Sequence, residues 1–177
     1  MGKTDIPLND SGIQQAKDVA KRFSDIKFDV VYSSPLMRAV QTAQELVHGR
    51  NLNIILNSGF EERNYGLFDN LTIEEIAQKY PSEYSAWQAD WFYYKVPDGE
   101  SAQTVHNRTH DALKKAIANH SGTNIAIVTH LGAARHMIAN LLLLRPEDTY
   151  RFSLDNCKAA HIVIDDDNRP ILRGLNV

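Results

Sequence analysis

Two segments of the chain place a side chain suited to gripping phosphate directly after an apolar, strand-like run. Arg38 follows the run that ends in Ser33-Ser34-Pro35, and His130 follows Ile127-Val128-Thr129. A helix-like pattern begins at each of these junctions. Helix N-termini offer free N–H groups and the positive end of the helix dipole, and ligands of α/β sheets bind beyond the carboxyl ends of the strands. The two junctions together predict an anion site.

Both residues also have a less specific interpretation. An arginine one turn into a helix is usually a solvated surface charge, and a histidine at the end of an apolar strand is usually a satisfied core residue. Phosphate binding is favoured because Pro35 suits the first turn of a helix and would aim the Arg38 guanidinium at the carboxyl edge of the sheet. Gly132 would allow close backbone approach beside His130.

Strand-like and helix-like patterns alternate along the chain. The predicted strands cover residues 28–32, 53–56, 124–129, 159–164 and 171–175, and the predicted helices cover 11–23 with Ser11 as N-cap, 36–47, pieces of 72–94, 101–117 and 132–144. This alternation predicts an α/β fold with a mostly parallel sheet and helices on both faces. The last two strands are expected to form a hairpin around the Asp165 to Asn168 turn.

The bulk properties fit one domain spanning residues 1–177. With 177 residues and 43% hydrophobic content, the chain can bury a sizeable core, and its net charge of −3 argues against a nucleic-acid-binding surface. Its single cysteine, Cys157, excludes an intrachain disulfide. The chain has no apolar run of membrane-spanning length, so we expect no membrane partner and a cytoplasmic location; a homodimer is compatible with the sequence. Asp165-Asp166-Asp167 is expected to be a solvated turn rather than a metal site.

Five segments resemble one enzyme family. They are Gly2–Leu8 followed by Ser11-Gly12, Ser33–Ala43, Glu-Arg-Asn-Tyr-Gly at 62–66, Pro-Asp-Gly-Glu-Ser at 97–101, and Ile127–Gly132. In this order they resemble the histidine phosphatase, or phosphoglycerate mutase-like, superfamily. The resemblance implies a phosphoglycerate mutase-like fold, a small phosphorylated substrate or inorganic phosphate as ligand, and chemistry that needs neither a metal nor another cofactor.

The resemblance also implies roles for particular residues. Arg38 would bind the phosphoryl group. His130 would hold a phosphoryl oxygen and stabilise the charge of the transition state. Leu131 would contact the substrate. Glu62 would protonate the leaving alcohol oxygen and later activate water. Glu61 is a competitor for that role, and a solvated pair of acids is the alternative for both.

Two further expectations concern the substrate and the reaction. Arg63 and Tyr65 are expected to contact the rest of the substrate, an assignment that the sequence leaves open. The helical, aromatic-rich insertion at about 72–96 is expected to cover the site. The segment between Glu62 and Pro97 is short, and no long tail follows the predicted hairpin. Both features resemble the family's phosphatases more than its mutases, although Glu-Arg-Asn-Tyr-Gly is more typical of the mutases.

The family's nucleophile is not found in these residues. The resemblance places an Arg-His-Gly segment on a strand ahead of Gly2, and none of the chain's histidines stands between an arginine and a glycine. We expect this 177-residue chain to be inactive by itself. Met1 is then either an internal methionine of a longer, active protein or the start of a non-catalytic protein that binds or regulates phospho-ligands. Loss of a central strand would leave an apolar slot and unpaired backbone groups in the sheet.

Overall fold

The computed structural model describes residues 2–177, in which strands and helices alternate except for three successive helices in the middle and two successive strands at the end. The strands are β1 (Val30–Ser33), β2 (Ile54–Leu56), β3 (Ile125–Val128), β4 (Ala160–Ile164) and β5 (Pro170–Leu175). The helices are α1 (Asp10–Arg22), α2 (Met37–Val47), α3 (Ile73–Lys79), α4 (Pro81–Ala89), α5 (Ala102–Asn119) and α6 (Leu131–Leu141). None of these helices is long and apolar enough to cross a membrane.

The main sheet is parallel and has β1 at its centre, in the order β2-β1-β3. Side chains of β1 alternate between its two faces, as they must in a strand. Val30 and Tyr32 belong to a core cluster with residues of α5 and α6, whereas Val31 packs with α2 through Ala43 and Leu46. The predicted parallel sheet with helices on both faces is therefore confirmed.

The last two strands form a separate antiparallel hairpin. β4 pairs with β5, and among the described strands neither pairs with the main sheet. β3 consequently lies at the edge of the main sheet, with β1 on one side. All four residues of β1 are buried, but all four residues of β3 are only half-buried. One side of β3 thus presents backbone N–H and C=O groups that no described strand uses.

Local capping moves several helix ends from their predicted positions. The N-cap of α1 is Asn9 rather than Ser11, because the Asn9 side chain accepts a hydrogen bond from the Gly12 amide at 2.8 Å. Pro35 precedes the N-cap of α2, Leu36, and so lies outside the first turn. Helix α6 ends at Leu141 rather than near residue 144, because Leu143 adopts a left-handed backbone conformation with φ of 54°.

The aromatic-rich segment is helical in two pieces. A capping box at Thr72 begins α3, and Pro81 occupies the first turn of α4, so the chain turns between the two helices. Both helices pack around Phe68 and Val96 in a small core cluster of their own. This cluster lies directly beyond the Glu-Arg-Asn-Tyr-Gly segment, whose Tyr65 also packs against it.

Candidate active site

Arg38 and His130 are in direct contact at the carboxyl edge of the sheet. The Arg38 Nε–H donates to His130 Nδ1 at 3.2 Å, and the two Nη atoms donate to the backbone oxygens of Thr4 and Gly2, each at 2.9 Å. His130 Nε2 lies 2.8 Å from Ser34 Oγ. Because a guanidinium only donates, His130 Nδ1 must be the acceptor, which leaves the proton of a neutral ring on Nε2. We therefore assign the Nε2–H tautomer, with Ser34 as its acceptor.

The electrostatic surroundings keep His130 neutral. Burial, followed by the positive charges of Arg38 and Arg108, lowers the pKa of His130 from 6.5 to about 3. At neutral pH the ring is thus a hydrogen-bonding group without charge. A neutral Nε2–H is suited to donating to an anionic oxygen while leaving the positive charge of the site to Arg38.

Glu62 caps the helix that begins after His130. Its Oε2 accepts from the Gly132 amide at 3.0 Å, and its Oε1 accepts from the Ala133 amide at 3.2 Å and from the Arg63 amide at 2.8 Å. A carboxylate here satisfies two of the free amides at the α6 N-terminus and faces the positive end of the helix dipole. A Cβ at position 132 would lie 2.4 Å from Glu62 Oε1, so an alanine there would force the Glu62 carboxylate to move.

This arrangement differs from the expectation that the first turns of both helices hold phosphate. Glu62 occupies two amides at the start of α6, and the first amide of α2, at Met37, donates to Asp5 Oδ1 at 2.6 Å. In each case an acid from a distant part of the chain takes the place expected for a ligand. The side chains of Arg38 and His130, rather than these helix amides, are therefore the candidates for holding an anion.

The two neighbouring acids have different surroundings. Glu61 forms an ion pair with Lys3, with a distance of 2.7 Å between Oε2 and Nζ. Glu62 is buried and reaches the start of α6, immediately after His130. Of the two acids, Glu62 is the one that the fold brings to the predicted site.

A clamp formed by Arg108 and Glu100 holds the loop that carries Glu62. Both oxygens of Glu100 accept from the Arg108 guanidinium, at 2.9 and 3.0 Å. The same guanidinium donates to the backbone oxygens of three residues of the loop, Gly59, Glu61 and Glu62. Burial raises the pKa of Glu100, but hydrogen bonds from Arg108 and the Asn64 amide outweigh it and the pKa is lowered. Arg108 was not predicted from the sequence, because the loop that it holds lies 46 to 49 residues earlier in the chain.

A cavity of about 260 Å³ opens beside Glu62. Its lining includes four residues that were predicted from the sequence, Glu62, Arg63, Tyr65 and Leu131. It also includes Gly132, Arg135, His136, Thr149 and Tyr150, which were not predicted as site residues. Helical spacing was the missed signal for two of them, since Arg135 and His136 follow Leu131 and Gly132 by four residues and share their face of α6. Arg38 and His130 lie outside this lining.

Two groups of the cavity have perturbed acidity. Burial and the nearby charge of Glu62 raise the pKa of Tyr65 to about 12, so its hydroxyl keeps its proton. Burial, with smaller effects from His106 and from the charges of Arg63, Arg108 and Arg135, lowers the pKa of His136 to about 3. The cavity therefore contains a neutral imidazole and a neutral phenol beside charged guanidinium groups.

An aromatic groove of about 420 Å³ adjoins this cavity. Tyr65 and Tyr150 line both spaces, and Phe68, Trp87 and Trp91 form the apolar wall of the groove. The segment predicted as an insertion thus contributes a wall next to the cavity.

The residues that the structure describes include no group of three or more histidine, cysteine, aspartate or glutamate side chains arranged to hold a metal ion. The Asp165 carboxylate instead accepts from the backbone amides of Asp167 and Arg169 and pairs with the Arg169 side chain. The aspartate run is a hairpin turn, as expected.

Known proteins share this sequence pattern and fold. The family model of the histidine phosphatase superfamily (branch 1) matches residues 1–177. Phosphoserine phosphatase 1 of Hydrogenobacter thermophilus is 30% identical over 176 residues, which cover 99% of this chain and 83% of that protein. The α-ribazole phosphatase of Shigella flexneri has a TM-score of 0.91 at 29% identity, with 99% of this chain and 87% of that chain covered. A phosphoserine phosphatase from Entamoeba histolytica, in complex with 3-phosphoglyceric acid, has a TM-score of 0.86 at 26% identity, with coverages of 100% and 87%.

Proposed function

Because the chain belongs to the histidine phosphatase superfamily, we propose that its site serves metal-independent hydrolysis of a small phosphomonoester through a phosphohistidine. The observation that carries the proposal is the contact between Arg38 and His130, with Glu62 bound to the helix that starts directly after His130. The 177 residues contain no Arg-His-Gly. We therefore expect negligible turnover from these residues alone.

Each side chain has a part in the proposed reaction. A histidine nitrogen bonds to phosphorus as the ester P–O bond breaks, and Glu62 gives its proton to the departing alcohol oxygen. Water then attacks phosphorus, the P–N bond breaks, and Glu62 recovers a proton from the water. Throughout, Arg38 would exchange the backbone oxygens of Gly2 and Thr4 for phosphoryl oxygens, and His130 would donate its Nε2–H to a phosphoryl oxygen instead of to Ser34.

Supplying the nucleophile tests this proposal directly. An apolar strand followed by an Arg-His-Gly loop, fused ahead of Gly2, should give hydrolysis of an aryl phosphate that EDTA does not inhibit. The matched control carries Arg-Gln-Gly in place of Arg-His-Gly. The extended protein should also be more stable, because an added strand can pair with the open edge of β3 and bury apolar side chains worth roughly 1.5–3 kcal/mol each. An unchanged denaturation midpoint together with no EDTA-resistant turnover would refute the proposal.

The rival function is non-catalytic binding of a phospho-ligand, which would use the same anion site but no histidine nucleophile. Both functions require an anion site at Arg38. Phosphate, vanadate and sulfate should raise the melting temperature of the wild-type chain and of an Arg169→Ala control, whose arginine lies on the hairpin turn. Arg38→Ala should respond much less, relative to its own ligand-free value. Equal responses would count against both functions.

A further inference from the structure

Residues 2–4 form a strap that engages the guanidinium of Arg38. Nη1 donates to the backbone oxygen of Thr4 and Nη2 to the backbone oxygen of Gly2, each at 2.9 Å, while Nε donates to His130. The Nη atoms are donors that a guanidinium uses when it binds two phosphate oxygens at once. Here their partners are neutral carbonyl groups, which are weaker acceptors than a charged phosphoryl oxygen. The strap thus engages donors that an anion at this site would need.

A few polar contacts hold the strap in place. Thr4 donates to Asp69 Oδ2 from its hydroxyl at 2.7 Å and from its amide at 3.3 Å, and the Asn70 side chain donates to the Thr4 hydroxyl at 2.8 Å. Lys3 Nζ pairs with Glu61 Oε2 at 2.7 Å. Lys3 and Asn70 are exposed, and Thr4 is only half-buried. A segment with so few buried contacts can open without unfolding the rest of the chain.

The closed position of the strap is also an imperfect one. Asp69 Oδ1 is buried and has no hydrogen-bond partner among the described residues, which is unfavourable for a carboxylate oxygen. Gly2 lies against this oxygen so tightly that a Cβ on Gly2 would overlap it. The same Cβ would lie 2.8 Å from the backbone oxygen of Arg63 and 2.9 Å from the Tyr65 ring. Movement of Gly2 would therefore give the buried oxygen access to water.

We infer that the strap is an autoinhibitory element, which opens when an oxyanion binds Arg38. The inference rests on the proposed function, because it concerns the anion site of that reaction. Asp5 is the hinge: its Oδ1 accepts from the Met37 amide at 2.6 Å, and this contact is kept while residues 2–4 move away. Arg38 then exchanges two neutral carbonyl partners for charged phosphoryl oxygens. The apparent affinity for the anion is the intrinsic affinity reduced by the fraction of molecules with an open strap.

Calorimetric titration of the 177-residue chain with inorganic phosphate tests the inference. Thr4→Val keeps the shape of the side chain but removes its hydroxyl contacts, so the closed position is weakened. Phosphate should bind this variant roughly fivefold tighter than wild type, the effect of about one neutral hydrogen bond on the closing equilibrium. Gly2→Ala, whose Cβ does not fit the closed position, should also bind phosphate more tightly. Thr123→Val removes an exposed hydroxyl contact away from the strap and should match wild type.

Hydrogen exchange at the Thr4 amide follows the strap itself. Saturating phosphate should speed the exchange of this amide in the wild-type chain, because its hydrogen bond to Asp69 is lost when the strap opens. Phosphate should not change the exchange rate in Arg38→Ala. An exchange rate in wild type that stays constant or falls as phosphate saturates the site would show that the strap remains closed, and the inference would be wrong.

The same titrations separate the strap from the proposed function. If phosphate binds wild type but not Arg38→Ala, and either strap variant that folds binds it no more tightly than wild type does, the strap is not inhibitory and the phosphatase proposal stands. Weaker binding by Thr4→Val would show that the strap orients Arg38 instead of competing for it. If phosphate binds neither wild type nor the strap variants, both proposals are wrong.

Discussion

Replacing Arg108 with methionine should lower the free energy of unfolding by about 3 kcal/mol. Arg108 makes five hydrogen bonds, two to Glu100 and three to backbone oxygens of the loop that carries Glu62. At roughly 1.5–3 kcal/mol for each bond to a charged group, their sum would approach the whole stability of an ordinary domain, so the bonds cannot be additive. Removing one member of a buried pair typically costs about 3–5 kcal/mol. The lower end of this range applies here, because the side chains of Arg108 and Glu100 are each 21% exposed.

Urea unfolding followed by the fluorescence of Trp87 and Trp91 measures this loss. Methionine keeps the apolar stem of the side chain, so the change reports mainly on the lost hydrogen bonds. For a chain of this length, a loss of about 3 kcal/mol corresponds to a melting temperature lower by roughly 6–12 °C. Arg169→Met removes two ion pairs of an exposed arginine, with Asp165 and Asp167, and should cost less than about 1 kcal/mol. If Arg108→Met lowers the free energy of unfolding by no more than Arg169→Met does, then the clamp of Arg108 and Glu100 does not stabilise the fold.

The pH dependence of the same variant provides an independent check. The pKa of Glu100 is lowered in the folded state, so its contribution to stability is present above its unfolded pKa and is lost as the pH falls through the folded value. Without Arg108, the largest cause of that lowering is removed. The stability difference between wild type and Arg108→Met should therefore be larger at pH 7 than at pH 3, and a difference that grows on acidification would contradict this account.

Three other outcomes are expected. The His130 ring should remain neutral well below pH 6.5 in NMR titrations, because its folded pKa is about 3. The folded state should then become less stable as the pH falls from about 6.5 towards 3. A titration midpoint near 6.5 would show that His130 is not held neutral. Gly132→Ala should displace Glu62 and lower the free energy of unfolding by about 1 kcal/mol. In a Glu62→Ala background the same change should have little effect on stability. Equal losses of stability in both backgrounds would show that residue 132 does not contact Glu62. The 177-residue chain should hydrolyse aryl phosphate far below roughly 1 per second, and faster turnover that survives His130→Ala would require another nucleophile.

The elements that the sequence predicted well are those set by local pattern. Alternating apolar runs and amphipathic helices were enough to predict the parallel sheet, and all four residues of β1 are buried, as expected for a central parallel strand covered on both faces. Helix ends were less predictable, because a cap depends on one hydrogen bond. Asn9 and Ser11 are both good N-cap residues, and only the bond from Gly12 to Asn9 decides between them.

Some of the site residues could likewise be predicted from the sequence, and others could not. Arg38 and His130 were predicted as an anion site from their strand–helix junctions, and Glu62 was predicted from the family resemblance. The structure places Arg38 against His130 and Glu62 at the start of α6, and their chemical roles are still predictions. The attachment of Glu62 to the α6 amides was not predictable, since it joins residues 70 apart in the chain. The sequence pattern does not show which carboxylate will reach a helix N-terminus once the chain has folded. Arg135 was missed for a different reason, because an arginine on a helix is normally read as solvated surface.

The open side of β3 has a consequence for how the protein behaves in concentrated solution. Ile125–Val128 contains isoleucine, alanine and valine only, without the lysine or proline that discourages strands of separate molecules from pairing. Copies of the chain should therefore associate edge to edge as concentration rises, and light scattering should grow faster than linearly. Ala126→Lys, which adds a charge to this strand, should raise the solubility limit, whereas a lysine in the fully buried β1 should prevent folding. The open edge of β3 thus sets an upper limit on the concentration at which this 177-residue chain stays in solution.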